Sequence, residues 1–358
     1  MTEGKIAAFG QSKLMIRTKL AFLSLCLLSV ALVGCKNSAE SSRTTAKSDR
    51  KGPESTRPTP RETPQSLHLK SELLREIKHG GFYDQYLMFS PDGTYLASWL
   101  PEKLAVYEVS TGKPVGEVPQ GRLPLAFSSD GTTFYTVGEK GLESWSCPGL
   151  KAKKATKEPG ADSGDGAWKK IEWANGVKSL AGNGGRIYNF PVESTEYPVS
   201  PYSLAHTPDG EVVAYSMGAE IAVTTPKREK KPWTSPSVGR SITSVVLTED
   251  GKIAVTGGMS GAFAIINLEK RKVVFNDRIP GEIRCIALAG RTLAVGCGDG
   301  MPGVAVIDAQ TQTPLAVLEP ESANVWGLAM TKDGKTLAAG GDDGVIRLFS
   351  LSLETGQK

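Results

Sequence analysis

The sequence predicts an all-β chain that repeats one four-stranded unit around a ring, and three observations carry that reading. First, an Asp-Gly turn between two short apolar runs recurs. Phe89-Ser90-Pro91-Asp92-Gly93-Thr94-Tyr95-Leu96-Ala97-Ser98 is its clearest copy, and Asp130-Gly131, Asp209-Gly210, Asp250-Gly251 and Asp333-Gly334 repeat it. Second, with Gly290 counted as a further turn glycine, these glycines fall at 93, 131, 210, 251, 290 and 334, evenly spaced except for one double gap. Third, helix-forming patterns are scarce beyond residue 80, while Val/Ile/Thr runs and glycine (40 of 358 residues) are plentiful. Asp-Gly between alternating apolar residues is a strong hairpin signal, because glycine tolerates the positive φ of a tight turn. A period of about forty residues with four strands per unit specifies a seven-bladed β-propeller, with one degenerate blade in the double gap.

In chain order, residues 1–34 read as an export signal. Lys13, Arg17 and Lys19 precede the uncharged, Leu-rich run Leu20–Val33, too short and wrongly flanked for a permanent span. Met15 would start a compact signal of familiar length, which makes the first fourteen residues an over-long start. The run ends Leu32-Val33-Gly34-Cys35, which resembles the lipobox of bacterial lipoproteins. The resemblance implies cleavage between Gly34 and Cys35, a diacylglycerol on the Cys35 thiol and an acylated new amine. Several acyl chains give stable membrane attachment where one does not. Lys36 follows, and without Asp at that position the resemblance leans towards the outer membrane of a bacterial envelope, on a side the sequence leaves open.

Residues 35–66 form the lipidated Cys35 and its linker. Lys36–Ser66 is built from Ser, Thr, Pro, Lys, Arg and Glu with no aromatic residue, so it buries too little apolar surface to offset its ordering entropy. It reads as a disordered spacer, against the alternative of a basic partner-binding motif. Residues 67–353 form the propeller and 354–358 a short tail.

Within the propeller, Leu73-Leu74-Arg75-Glu76-Ile77 resembles the outer-strand segments Pro114–Val118 and Pro314–Leu318, so it is expected to complete the last blade and close the ring. Lys151–Gly166 reads as a Lys-rich surface insertion. The degenerate third blade falls within Trp168–Val192, with Ile171–Trp173 and Arg186–Phe190 as its clearest strands. Over residues 70–353 these features resemble the WD-repeat family: the Ser-Pro-Asp-Gly turn, the small-residue strand Leu337–Gly341, and the ending Asp343-Gly344-Val345-Ile346-Arg347-Leu348-Phe349. The departures are specific. Trp-Asp is absent, with Trp145-Ser146 and Phe349-Ser350 in its place, and the opening Gly-His pair is missing. The family's buried Asp-His-Ser/Thr-Trp network is therefore expected not to form.

Composition narrows the function. The formal charge is +4, and residues 1–34 hold four cations against Glu3, so the mature chain is close to neutral and gives no reason to expect nucleic-acid binding. Cys147, Cys285 and Cys297 remain after the signal, an odd number, and Cys285 and Cys297 read as small buried side chains rather than a bridge. The three histidines are His68, His79 and His206, and no nucleophile elbow, zinc motif, Cys-x-x-Cys or phosphate loop is found. Asp92, Asp130, Asp209, Asp250 and Asp333 read as turn residues, so no catalytic residue, cofactor or metal is expected. The candidates for interaction are Trp233 and Trp326, because Trp is enriched in interface hot spots. The expectation is a monomeric, membrane-anchored, extracytoplasmic scaffold for protein partners. The alternatives are a propeller enzyme (lactonase-like or quinone-dependent) and an envelope assembly factor that supports insertion of outer-membrane proteins.

Overall fold

Strands that are apolar on both sides need a neighbour on both sides, and the chain supplies them as successive antiparallel sheets. The computed structural model describes residues 67–80, 86–100, 103–118, 123–138, 141–156, 168–172, 178–182, 187–190, 203–207, 211–224, 232–298, 303–318 and 324–355. The first strand among the described residues is β1 (Leu67–Lys78). The next four, β2 (Tyr86–Phe89), β3 (Tyr95–Leu100), β4 (Lys103–Glu108) and β5 (Pro114–Val118), form the first sheet in chain order. The second holds β6 (Leu123–Phe127), β7 (Thr133–Gly138), β8 (Gly141–Ser146) and β9 (Ala152–Thr156). The third has three strands among the described residues: β10 (Trp168–Glu172), β11 (Lys178–Gly182) and β12 (Ile187–Phe190).

The fourth sheet holds β13 (Leu204–His206), β14 (Val213–Met217), β15 (Glu220–Thr224) and β16 (Trp233–Thr234). The fifth is β17 (Ile242–Leu247), β18 (Ile253–Gly258), β19 (Ala262–Asn267) and β20 (Lys272–Arg278), and the sixth is β21 (Ile283–Ala289), β22 (Thr292–Cys297), β23 (Gly303–Asp308) and β24 (Pro314–Leu318). The seventh takes β25 (Val325–Met330), β26 (Thr336–Gly341) and β27 (Val345–Thr355), and β1 returns to lie against β27 as its outer strand. Contacts between successive sheets run in an unbroken cycle, and the seventh touches the first through β25 and β2.

The expected closure is therefore made by β1, over more residues than Leu73–Ile77, with Leu67 opposite Thr355 and Lys78 opposite Val345. Glu76 lies opposite Arg347 and accepts its Nε–H at 3.0 Å, so the clasp carries an ion pair to a buried guanidinium. One expectation is corrected: part of the supposed insertion, Ala152–Thr156, is the outer strand of the second sheet, paired with β8. The third unit, expected to be degenerate within Trp168–Val192, shows three strands among the described residues.

The core lies in the seams between sheets. Along β4, Leu104 and Val106 face the seam with the second sheet, while Ala105 and Tyr107 face the seam with the seventh. This is period-two geometry with both faces covered, which is why the strands read as unbroken apolar runs. Phe127 and Phe134, both fully buried, pair across the second sheet with ring centroids 4.7 Å apart. Fully burying a side chain of this class contributes about 1.5–3 kcal/mol. Small residues let the next sheet approach: a Cβ on Gly257 would meet Ile283 Cγ2 at 2.3 Å, and one on Gly296 would meet Val325 Cγ1 at 3.0 Å.

Because consecutive strands alternate direction, the inner and outer hairpin turns of each four-stranded sheet project on one face of the ring. The middle turns and the connections that cross to the next sheet project on the other. The first is the turn face and the second the crossing face.

Candidate functional site

On the turn face the Asp-Gly motif builds the same hydrogen-bonded loop repeatedly. In the first sheet Ser90 Oγ donates to Asp92 Oδ1 at 2.6 Å, Thr94 N–H donates to the same oxygen at 3.1 Å, and Tyr95 N–H donates to Ser90 Oγ at 2.9 Å. Ser128–Asp130–Thr133, Thr248–Asp250–Ile253 and Thr331–Asp333–Thr336 repeat the pattern. Gly93, Gly131, Gly251 and Gly334 all have φ between 66° and 73°. Asp209 and Gly210 lie outside the described residues, although Thr207 N–H still donates to Val212 O at 2.9 Å, the pairing that frames the other turns.

These hydrogen bonds hold the carboxyls below their ordinary range. Asp130 is lowered to about 2 by the Ser128 hydroxyl and by the N–H and hydroxyl of Thr132. For Asp92 burial works the other way, but the hydroxyls of Ser90 and Thr94 and the Thr94 N–H outweigh it. Each turn also abuts its neighbour: a Cβ on Gly93 would meet Thr331 Cγ2 at 3.1 Å, and one on Gly251 would meet Thr207 Cγ2 at 2.8 Å. A cleft of about 550 Å³ lies between the Asp92 and Asp333 turns, lined also by Pro91, Gly93, Thr331, Lys332 and Thr336. Its carboxylates are engaged in their own loops. The turn aspartates are structural here.

The sixth sheet replaces this device. Gly290 makes a two-residue turn with φ 55°, and the next residue, Arg291, reaches the fully buried Asp308 with Nε–Oδ1 at 3.1 Å and Nη2–Oδ2 at 2.5 Å. Burial opposes the charge of Asp308, but hydrogen bonds from Arg291, Thr311 and the Gln310 N–H win and lower its pKa.

The buried histidine network, expected to be missing, survives in part. His79, 5% exposed, joins the Tyr107 hydroxyl through Nδ1 and the Ser98 hydroxyl through Nε2 at 3.1 Å. The order His79-Gly80 inverts the expected pair, and a tyrosine hydroxyl takes the place of an indole N–H. In the second sheet Trp145 Nε1–H donates to Thr136 Oγ1 at 2.8 Å, at the positions of Tyr107 and Ser98. His206 is half-buried, its Nδ1 2.8 Å from the neighbouring Thr207 carbonyl.

On the crossing face a different feature repeats. The innermost strands β6, β17, β21 and β25 each carry a register shift near their start, between Pro124 and Ala126, Ile242 and Ser244, Ile283 and Cys285, and Val325 and Gly327. A bulge re-aims the extra residue, and in the last three strands that residue is Thr243, Arg284 or Trp326. Thr243 Oγ1 donates to Ile283 O at 2.6 Å, bracing the next strand. Arg284 and Trp326 instead form a stack, the guanidinium carbon 3.7 Å from the indole centroid. Glu282 holds Arg284 at 2.9 Å, and the bare Cα of Gly298 gives it room, since a Cβ there would lie 2.3 Å from Arg284 Nε. Beside it Asn324 Nδ2 donates to Asp342 Oδ2 at 2.8 Å. Planar, fixed on both sides and half-buried, the stack is suited to recognition.

Of the two expected anchors, Trp326 is therefore in the rim, and Arg284, which sequence reasoning missed, is its partner. Trp233 sits elsewhere, on the outer strand β16 opposite Val223, packed onto the core between the fourth and fifth sheets. Cys147, Cys285 and Cys297 are free thiols, and the bulge at Arg284 sets Cys285 opposite Gly296 and Cys297 opposite Ile283. Burial pushes Cys147 up to about 11 and Cys297 up to about 12. Among the described residues no group of three or more His, Cys, Asp or Glu is placed to hold a metal ion. Gly34 and Cys35 lie outside the described residues.

Residues 312–350 match the family model described as WD domain, G-beta repeat. The chain has the fold of a WD40 propeller. That match runs from the turn before β24 through β25 and β26 into β27, so one sequence repeat spans the outer strand of one sheet and three strands of the next. Among solved structures, a chain in the crystal structure of the mitotic checkpoint complex superposes with a TM-score of 0.60 at 15% identity, covering 86% of this chain and 98% of that one. At this identity the likeness is one of fold.

Proposed function

We propose that this WD40-type ring is a non-catalytic scaffold for protein partners, displayed outside the cytoplasm of a bacterial cell from a lipidated Cys35. The observation that carries the recognition half is the Arg284–Trp326 stack, two hot-spot residue types fixed on a rigid frame at the crossing face. The WD-repeat match over residues 312–350 supports a protein-interaction role. The anchoring half rests on the basic segment, the apolar run and Leu32-Val33-Gly34-Cys35.

The test is cross-linking and affinity purification of the tagged full chain from cells, alongside Cys35→Ala and Trp326→Ala. Recurrent envelope proteins should co-purify with the unsubstituted chain. Trp326→Ala should weaken them at least about thirty-fold, the effect of losing a hot spot near 2 kcal/mol. Cys35→Ala should leave the membrane fraction. A chain that recovers no specific partner overturns the scaffold reading, and one that stays membrane-bound as Cys35→Ala overturns the anchor.

A further inference from the structure

The ends of the ring domain leave it on one face. β26 begins at Thr336, opposite Ser350 of β27, just after the Asp333-Gly334 turn. β27 continues past that point: Leu351 N–H still donates to Lys335 O at 2.7 Å, and Ser352–Thr355 pair with Leu67–Lys70 of β1 alone. In the first, second, fifth and sixth sheets the chain makes an outer hairpin turn at this level. Here a two-stranded ribbon projects from the turn face, rooted by buried Leu351 and with Leu69 packed on the same core. At about 3.3 Å per residue it carries Leu67 on the order of 15 Å beyond the sheet.

Resting on the anchored reading above, we propose that the turn face is held toward the bilayer. The Arg284–Trp326 rim is then presented away from it, so the rim takes a water-soluble protein partner rather than one embedded beside the anchor. A coil of thirty-one residues, the number from 36 to 66, spans on the order of 30 Å. Leu67 offers that reach to the turn face directly. Turning the crossing face to the bilayer would require the same segment to climb the ribbon, a ring about 20 Å high at six residues per strand, and the ring's half-width. That exceeds the coil's comfortable span and costs chain entropy.

Two positions at opposite ends of one strand test this: exposed Met259, in the turn before β19 on the crossing face, and exposed Lys270, in the turn after it. Met259→Cys and Lys270→Cys, each in the acylated full chain, are labelled with a fluorophore and returned to vesicles of phosphatidylethanolamine and phosphatidylglycerol that carry a headgroup nitroxide quencher. The unsubstituted chain gives the background from native thiols. In the floated fraction the Lys270 label should be quenched at least about twofold more than the Met259 label. Equal or reversed quenching in a chain that floats overturns the inference alone. A chain that does not float, or a Cys35→Ala chain that floats equally, overturns the anchored reading and the inference with it.

Discussion

Gly257 offers the sharpest test of how closely the sheets are packed. It lies in β18 without a positive φ, so its bare Cα is a matter of space between sheets rather than backbone freedom. A Cβ there would lie 2.3 Å from Ile283 Cγ2 and 3.0 Å from Ile283 Cβ and Ile286 Cδ1, against an optimum of about 3.5–4.0 Å. Relieving the closest contact needs a shift of more than about 1 Å in a seam where Ile283 is fully buried. Overpacking of this kind costs about 1–3 kcal/mol. Restricting the unfolded chain returns up to about 1 kcal/mol. Gly257→Ala should therefore destabilise by about 1–2 kcal/mol, roughly a tenfold fall in the folded-to-unfolded ratio. Guanidinium unfolding of the full chain in the Cys35→Ala background, followed by tryptophan fluorescence and circular dichroism, measures it. Ile283→Ala alone should cost about 2–5 kcal/mol, yet the double variant should cost at least about 1 kcal/mol less than the sum, because the new methyl enters the vacated space. Additivity within about 0.5 kcal/mol, or a stabilised Gly257→Ala, refutes the packing argument.

Other expectations use the same assays. Asp308→Asn, which removes the charge facing Arg291, should lower stability by about 2 kcal/mol in denaturant unfolding. His79→Ala, which strips Ser98 and Tyr107 of a buried partner, should cost about 2–3 kcal/mol, and Tyr107→Phe less than half of that. The turn aspartates have folded pKa values below the unfolded value near 3.9, so the folded state binds fewer protons. Their contribution is complete above about pH 4 and is lost as pH falls toward about 2; a thermal midpoint that stays flat from pH 5 to 2 would sink this account. Cys297, buried in an apolar cluster, should react negligibly with thiol reagents at pH 8 and should lose about 1–3 kcal/mol as Cys297→Ser. Cys285→Ser, whose position faces the Val325 carbonyl, should fall within about 0.5 kcal/mol of the parent.

The ring itself was legible because its parts are local. An Asp-Gly turn with a hydroxyl two residues earlier specifies its own hydrogen bonds, so the six-membered turn series could be read off spacing, and β1 announced itself by likeness to other outer strands. The crossing face was harder. Arg284 looks like any surface cation until the bulge and Gly298 bring it over Trp326, although Thr243, Arg284 and Trp326 do stand one repeat apart. The same holds for Ser203, Ser244 and Cys285: Val245 N–H donates to Ser203 Oγ at 3.0 Å and Ile286 N–H to Ser244 Oγ at 3.2 Å, so the fourth sheet braces the innermost strand of the fifth, and the fifth that of the sixth. The His79 network was missed because its members match the family by role and not by residue type or order. Ala152–Thr156 was missed because edge strands carry lysines for protection, and lysine runs read as loops.

The pairing of Leu67 with Thr355 has a consequence for the order in which the molecule is made. Six of the sheets draw their strands from neighbouring stretches of chain and can assemble as local hairpins while synthesis or export continues. The seventh cannot. β1 emerges first and must wait, with both of its edges unpaired, until almost the last residue of the ring domain has arrived. Closing so long a loop adds only a few tenths to a few kcal/mol over a short one, so the penalty is one of time rather than of final stability. During that wait the half-made ring exposes the seams that later become its core, and β1 can be captured by any other open strand. Placing charges along it and a bulge at Leu74 keeps it a poor partner for strangers while leaving its register with β27 intact.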